Sequence, residues 1–117
     1  MKLKILVTGC LGFVGSSICE YFSKQGYKVI GIDNRSKIAG SEANMELINS
    51  NGANFVYCDI TNQNQIEAIF KNFGEFDFIF HMASQVSFKK SIESPRRDLE
   101  INLIGTFNIL ECLRINK

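Results

Sequence analysis

Short apolar runs alternate along the chain with segments whose apolar residues recur at helical spacing. The runs are rich in β-branched and aromatic residues, which predicts strands over residues 2–8, 27–32, 53–58 and 77–82. Helical spacing predicts helices between Gly12 and Gly26, over 41–50, after an N-cap at Thr61, and from Ser94-Pro95 to about residue 114. Polar loops are expected after Asn34 and between the fourth strand and Ser94.

This alternation of strands and helices predicts an α/β protein with a parallel sheet and right-handed crossovers. Four strands correspond to about half of a Rossmann-type doubly wound sheet, for which the expected strand order is 3-2-1-4. In such a sheet the ligand crevice lies at the carboxyl ends of strands 1 and 4, where the order reverses. Residues 1–117 are therefore expected to form one partial domain of this class.

Composition and charge exclude several classes of function. Of the 117 residues, 45% are hydrophobic and 21% charged, and the net charge of +1 gives no electrostatic basis for binding nucleic acid or a membrane surface. No apolar run approaches the roughly 18 residues of a membrane-spanning helix, so we expect a cytoplasmic protein with no membrane partner. The cysteines form no C-x-x-C pair and are expected to be buried reduced thiols, and no metal site is predicted.

Glycines dominate the segment between the first strand and the first helix. Gly9, Gly12 and Gly15 have a G-x-x-G-x-x-G spacing. A loop that binds a dinucleotide needs a tight turn, close approach of the backbone to the pyrophosphate and close packing of helix on strand. Glycine meets all three needs because it lacks Cβ. Since the helix N-terminus adds free N–H groups and a positive dipole, this loop predicts dinucleotide binding.

Polar residues close the other strands. Asp33 lies 18 residues after Gly15, where a carboxylate accepts hydrogen bonds from the adenosine ribose and favours NAD over NADP, although the nearby Arg35 weakens that preference. Asp59 has two equally supported interpretations, a helix cap or a contact to the adenine amino group. His81, at the end of the fourth strand, is expected to be a packed, hydrogen-bonded residue.

Five segments in this order resemble the extended short-chain dehydrogenase/reductase family of NAD-dependent nucleotide-sugar epimerases and dehydratases. They are TGCLGFVG at 8–15, Asp33-Asn34, Asp59-Ile60, HMASQ at 81–85 and NLIGTFN at 102–108. Residues 81–112 look most like the CDP-paratose 2-epimerase branch, and the UDP-glucose 4-epimerase and dTDP-glucose 4,6-dehydratase branches share the same frame. The resemblance implies NAD as cofactor, a nucleotide-sugar substrate and transient transfer of a hydride between a sugar carbon and NAD.

The resemblance also implies which residues bind NAD. The pyrophosphate would be held by Gly9, Gly12, Phe13, Val14 and Gly15. The adenosine would be surrounded by Asp33, Asn34, Ser36, Asp59 and Ile60. The segment that runs toward the nicotinamide half comprises Met82, Ala83, Ser84 and Gln85, and Asn102 would hold this segment near the cofactor.

The catalytic Tyr-x-x-x-Lys pair of that family is absent from the sequence. The residues four positions after the three tyrosines are Gln25, Gly31 and Thr61. No catalytic residue is therefore assigned, and residues 1–117 are interpreted as the N-terminal, NAD-binding part of a longer enzyme whose catalytic region and substrate domain lie elsewhere. A stand-alone dinucleotide-binding module and an inactive truncated remnant are the alternatives.

The last predicted helix has apolar residues on two sides. One face, predicted to pack on the sheet, comprises Leu99, Leu103, Thr106, Leu110 and Leu113. The other carries Ile101, Ile104, Cys112 and Ile115, which predicts that further chain covers it or, as the resemblance implies, that the 95–114 helix forms a homodimer. A basic cluster nearby favours a solvated face over a contact to a substrate diphosphate, and comprises Lys89, Lys90, Arg96 and Arg97.

Overall fold

The fold is built on one parallel sheet, in a computed structural model that describes residues 2–36 and 41–116. Its strands are β1 (Lys4–Thr8), β2 (Lys28–Asp33), β3 (Asn54–Tyr57) and β4 (Phe78–His81). The strand order is β3-β2-β1-β4, and every neighbouring pair is parallel. The predicted half of a doubly wound sheet is confirmed, and the order reverses beside β1 as this topology requires.

Helices follow the strands in chain order and cover both faces of the sheet. They are α1 (Phe13–Lys24), α2 (Ser41–Ser50), α3 (Gln63–Phe73), α4 (Phe88–Glu93), α5 (Pro95–Leu99) and α6 (Gly105–Ile115). A π-helical segment, Glu100–Ile104, joins α5 to α6, so one continuous helix runs from Pro95 to Ile115. The helices α1 and α2 contact each other, as do α3 and α6.

Each face of the sheet has its own apolar cluster, because side chains of a strand alternate between the two faces. The cluster beneath α1 and α2 includes Ile5, Val7, Val29, Cys10, Cys19 and Ile48. The cluster beneath α3 and α6 includes Leu6, Ile30, Ile66, Phe70, Cys58 and Cys112. All four cysteines are buried free thiols, as predicted, and two of them lie on each face.

Two local predictions were wrong. The loop expected before Ser94 contains the helix α4, whose N-terminus is capped by Ser87: the Ser87 side chain accepts a hydrogen bond from the Lys90 N–H. The N-cap of α3 is Asn62, which accepts from the Gln65 N–H, because the hydroxyl of Thr61 donates instead to Asp59. Of the loop predicted after Asn34, residues 37–40 lie outside the described residues.

The face of the last helix that packs on the sheet was also predicted wrongly. The buried residues of α6 are Gly105, Asn108, Ile109 and Cys112, and Ile101 packs against the same cluster. A stripe of large apolar side chains is exposed instead, at Leu99, Leu103, Phe107 and Leu110. The close contact between this helix and Ile60 explains why the opposite face is buried. A Cβ on Gly105 would lie 2.6 Å from Ile60 Cδ1, so the residue that faces the sheet here must be small.

Candidate functional site

A cavity of about 300 Å³ opens at the carboxyl ends of the four strands. We call it the crevice. The residues predicted from sequence that line it are Gly9, Gly12, Asp33, Asn34, Ser36, Asp59, Ile60, Met82, Ala83, Ser84 and Gln85. Four others do not line it, namely Phe13, Val14, Gly15 and Asn102. The loops after all four strands therefore meet at one place, at the point where the strand order reverses.

A Cβ added to the three glycines of the loop after β1 would have a different consequence at each position. Gly9 has a φ of +67°, and a Cβ there would lie 2.7 Å from the Ala83 nitrogen. A Cβ on Gly15 would lie 2.1 Å from the Gly9 oxygen, so this glycine lets α1 pack against the loop. A Cβ on Gly12 would meet only the Gly9 oxygen at 3.3 Å, and Gly12 lines the crevice. The missing Cβ at Gly12 therefore leaves open space beside the crevice.

The N-terminus of α1 faces this loop without a side-chain cap. Its N-cap is Gly12, in an extended conformation, and the helix begins at Phe13. The first N–H groups of a helix have no partner within it, so those of Phe13, Val14 and Gly15 can serve a ligand anion through the backbone. The side chains of Phe13 and Val14 are exposed, which agrees with a backbone role.

Asp33 connects the end of β2 to the glycine loop. Its Oδ2 accepts a hydrogen bond from the Leu11 N–H at 3.1 Å, and its Oδ1 accepts from the Arg35 N–H at 2.8 Å. Arg35 adopts a φ of +58°, a left-handed conformation that few residues other than glycine favour. Each carboxylate oxygen keeps a second acceptor site, so Asp33 can still receive hydroxyl donors in the crevice.

Asp59 has a local role at the end of β3. Its Oδ1 accepts from both the N–H of Thr61, at 3.0 Å, and the hydroxyl of Thr61, at 2.8 Å. Asp59 thus closes the turn before α3, which is the capping interpretation, although Asn62 is the formal N-cap. Its Oδ2 lies 3.6 Å from Nη2 of Arg97, which reaches across from α5.

A hydrogen-bonded frame holds the segment after β4. Asn102 accepts from the Gln85 N–H at 2.8 Å and donates to the Gln85 carbonyl oxygen at 2.9 Å. The Gln85 side-chain amide donates to Asp98 at 3.0 Å and to the Ser87 carbonyl oxygen at 3.0 Å. Asn102 lies in the π-helical segment, so this wider turn carries the side chain that fixes one wall of the crevice.

His81 is packed and hydrogen-bonded, as predicted. The Ala83 N–H donates to Thr8 Oγ1, which leaves the Thr8 hydroxyl proton for His81 Nδ1 at 2.7 Å. The Thr106 hydroxyl donates to the Asn102 carbonyl oxygen, so it accepts from His81 Nε2 at 2.9 Å. These partners place the single ring proton on Nε2. Burial lowers the pKa of His81 below its ordinary value of 6.5, because it disfavours the charged ring.

Several residues that line the crevice were not predicted from sequence as cofactor-binding residues. They are Leu11, Ile32, Cys58, Lys90, Glu93, Ser94, Arg97, Asp98 and Ile101. Of the basic cluster, Lys89 pairs with Glu93 at 3.9 Å between exposed side chains, which fits the solvated face. Lys90 and Arg97 differ, because both line the crevice, and Arg97 is also partly buried there. The sequence held one signal for these two lining residues: the i, i+4 spacing of Arg97 and Ile101 places them on one helix face.

The fold and the crevice together define a Rossmann-type α/β protein whose cavity lies at the topological switch point. The chain belongs to the family described as GDP-mannose 4,6 dehydratase, whose model matches residues 6–117. It is 38% identical over 113 residues to CDP-paratose 2-epimerase of Salmonella typhi, and the match covers 96% of this chain and 33% of that protein. The resemblance to extended short-chain dehydrogenases/reductases that act on nucleotide sugars is thus confirmed.

Solved structures support the same relationship. UDP-glucose 4-epimerase from Thermotoga maritima, solved with UDP-glucose, has a TM-score of 0.82 at 36% identity, over 94% of this chain and 33% of that one. UDP-glucuronic acid 4-epimerase from Bacillus cereus, solved with NAD and a fluorinated UDP-sugar, has a TM-score of 0.82 at 26% identity, over 96% of this chain and 36% of that one. The chain spans about a third of the length of the relatives it matches.

None of the helices within 2–36 and 41–116 has both the length and the apolar character needed to cross a bilayer. Among the residues that the structure describes, no three or more His, Cys, Asp or Glu side chains cluster so that they could hold a metal ion.

Proposed function

We propose that this chain binds NAD in the crevice as the cofactor-binding part of a nucleotide-sugar epimerase or dehydratase. The observation that carries the proposal is the arrangement around Gly12: an uncapped helix N-terminus, a missing Cβ that opens space, and Asp33 at the end of the neighbouring strand. Together they supply an anion site beside a carboxylate acceptor, which is what a dinucleotide requires.

The strand order supports one direction for the proposed dinucleotide across the sheet. The pyrophosphate would lie against the N–H groups at the start of α1, which follows the central strand β1. The adenosine ribose would reach Asp33 at the end of β2, so the adenine would lie farther along, at the end of β3 beside Asp59 and Ile60. The nicotinamide half would extend the other way, along Met82, Ala83, Ser84 and Gln85.

The whole enzyme would move a hydride from a sugar carbon to NAD and return it after the stereochemistry changes or water leaves. NAD supplies the hydride acceptor, and residues of this chain bind and orient it. Family membership and the 38% identity to CDP-paratose 2-epimerase support this class. Identity alone does not separate the branches, because a putative UDP-glucose 4-epimerase of Methanocaldococcus jannaschii is 40% identical over 110 residues. The likeness of residues 81–112 is what favours the CDP-paratose 2-epimerase branch. Residues 1–117 contain no Tyr-x-x-x-Lys pair, so the proposal assigns no proton-transfer step to them.

Replacing Asp33 tests the proposal. Losing a charge-assisted hydrogen bond costs roughly 1.5–3 kcal/mol, so Asp33→Ala should weaken NAD binding at least tenfold and reduce discrimination against NADP. Isothermal titration calorimetry of the chain with each dinucleotide measures both effects. Asp77→Ala is the matched control, because Asp77 also accepts a backbone N–H, from Lys4 at 2.7 Å, but outside the crevice. Unchanged NAD affinity in Asp33→Ala would refute the assignment.

We further propose a cytoplasmic homodimer formed through the helix from Pro95 to Ile115. The exposed stripe of Leu99, Leu103, Phe107 and Leu110 supports a second copy as the partner, because an apolar stripe on a helix can pack on its own symmetry copy about a two-fold axis. The four free thiols support a reducing compartment.

A further inference from the structure

Residues 82–85, which we call the wall segment, are anchored at both ends. At the start, the Met82 N–H donates to the Thr8 carbonyl oxygen at 3.2 Å, and the Ala83 N–H donates to Thr8 Oγ1 at 3.0 Å. At the end, the Asn102 side chain accepts from the Gln85 N–H and donates to the Gln85 carbonyl oxygen. All four residues of the wall segment line the crevice, so these two anchors set the shape of that wall.

Both anchors lead back to His81. The Thr8 hydroxyl donates to His81 Nδ1 at 2.7 Å, which joins the ring to the first anchor. His81 Nε2 donates to Thr106 Oγ1 at 2.9 Å, and the Thr106 hydroxyl donates to the Asn102 carbonyl oxygen at 2.7 Å, which joins the ring to the second anchor. A single ring therefore connects β1 with the last helix, and hydrogen bonds from its two sides reach the two ends of the wall segment.

These hydrogen bonds form a relay with one direction. In order, each member donates to the next: Ala83, Thr8, His81, Thr106 and Asn102. A ring proton on Nδ1 would instead face Thr8 Oγ1 and take this acceptor away from the Thr8 hydroxyl. Thr8 is 0% exposed, so its hydroxyl could not turn to water and would pay the full cost of desolvation. The neutral ring with its proton on Nε2 is thus the form that keeps both anchors.

The arm through Thr106 ends in the π-helical segment that carries Asn102. There the Gly105 N–H donates to the Glu100 carbonyl oxygen, five residues earlier, so the regular α-helical pairing is interrupted. The Thr106 hydroxyl adds a hydrogen bond inside this wider turn, to the Asn102 carbonyl oxygen. Because His81 donates to the same hydroxyl oxygen, it holds the Thr106 side chain in the orientation that makes this bond.

We propose that His81 is a positioning residue for the nicotinamide half of NAD. Through Thr8 and Thr106 it orients both ends of the wall segment, although neither the ring nor the two threonines line the crevice. The proposal rests on the proposed function, which places the nicotinamide half along the wall segment. The pyrophosphate and adenosine would be held elsewhere, at α1 and at the ends of β2 and β3, so the relay should not affect them.

This division between the two halves of the dinucleotide separates positioning from a merely structural role. ADP keeps the adenosine and the two phosphates but lacks the nicotinamide riboside. A broken relay should therefore weaken the binding of NAD and leave the binding of ADP almost unchanged. Partial unfolding of a variant lowers both affinities by the same factor, so the ratio of NAD affinity to ADP affinity reports positioning alone.

Calorimetry of the chain with NAD and with ADP at pH 7.5 tests the proposal with two substitutions. Thr106→Val keeps the shape of the side chain but removes the hydroxyl. His81→Asn keeps an acceptor near the position of Nδ1 but is too short to reach Thr106. Each should weaken NAD binding roughly fivefold or more, the size of one lost hydrogen bond, and change ADP binding less than about twofold.

Three further variants sharpen the test. The double variant His81→Asn/Thr106→Val should bind NAD as weakly as either single variant, because both substitutions break the same arm. Thr106→Ser restores the hydroxyl and should restore the affinity for NAD. Ser50→Ala is the matched control: it removes a hydroxyl that donates to a helix carbonyl oxygen, that of Leu47 at 2.9 Å, away from the crevice, and should change neither affinity.

The remaining outcomes overturn the proposal in distinguishable ways. Equal losses of NAD and ADP affinity would show that His81 only stabilises the fold, and an unchanged NAD affinity would show that the wall segment does not depend on it. Losses that multiply in the double variant would mean that His81 and Thr106 act separately rather than through one relay. If the unmodified chain binds neither NAD nor ADP, the proposed function itself fails. Since Thr106 is only partly buried, its valine variant decides the question even where His81→Asn does not fold.

Discussion

Gly12 and Gly15 lie three residues apart, and their substitution by alanine should have opposite consequences. In an ordinary helix, alanine in place of glycine stabilises by roughly 0.5–1 kcal/mol. At Gly15 the new Cβ would lie 2.1 Å from the Gly9 oxygen, so overpacking should dominate and Gly15→Ala should destabilise by about 1–3 kcal/mol. Gly12→Ala meets only one atom, at 3.3 Å, and should keep its stability while NAD binding weakens.

Urea unfolding and NAD titration of both glycine variants measure this difference. A Gly12→Ala protein that binds NAD normally would show that the space at Gly12 does not serve the ligand. A Gly15→Ala protein as stable as the parent would show that α1 can move away from the loop at little cost.

The sequence predicted those residues of the crevice that lie at or just after the end of a strand. Gly9, Gly12 and Asp33 line the crevice because each comes directly after β1 or ends β2, and chain order alone fixes their position. Arg97 could not be placed in this way. It comes from a helix beyond β4, and its side chain reaches Asp59, 38 positions earlier, because the fold brings α5 to the crevice.

At the element scale, His81 joins β4 to β1 through Thr8 and to α6 through Thr106. A folded-state pKa below the ordinary 6.5 means that the unfolded chain binds this proton more tightly. Neutral His81 therefore contributes to the free energy of unfolding. This contribution is complete above about pH 6.5 and is lost as the pH falls from there toward the folded-state pKa of His81. Protonation would also put a second ring N–H against Thr8 Oγ1, which already accepts from Ala83.

Urea unfolding at pH 7.5 and pH 5.5 tests this dependence. His81 is the sole histidine, so a comparison with His81→Gln isolates its titration from that of the carboxylates. We expect the unmodified chain to lose more stability than His81→Gln between the two pH values. Equal losses would mean that the network tolerates a charged ring.

The sequence predicted the strands and α3 well, but it failed for the core face of the last helix and for the existence of α4. The strands are short apolar runs that are buried on both faces of the sheet, and α3 has one apolar face at helical spacing, so both patterns are clear in the sequence. The last helix has apolar residues all round, so periodicity could not decide between Leu103 and Ile109 as the core side. The decision depends on Gly105, which allows close contact with Ile60. The helix α4 has only 6 residues, too few for a periodic signal.

At the scale of the whole molecule, the exposed stripe should govern self-association. Phe107 is 56% exposed, so Phe107→Glu should leave the fold intact while placing a charge in the proposed dimer interface. Light scattering should show a dimer for the unmodified chain and a monomer for the variant. Tyr21→Glu is the matched control, since Tyr21 is similarly exposed, at 60%, on the other side of the sheet. A dimer that survives Phe107→Glu would place the interface elsewhere.

The buried thiols lie on both sides of the sheet, so their reaction rates can detect which side of the protein opens. Burial raises the pKa of Cys19 and Cys58 to about 12, so neither reacts with an alkylating reagent until its surroundings open. Cys10 and Cys19 lie on one side of the sheet, and Cys58 and Cys112 on the other. Equal alkylation rates for the two pairs, followed by mass spectrometry, would indicate one cooperative unit. Faster alkylation of one pair would identify the layer of helices that detaches first, without any engineered label.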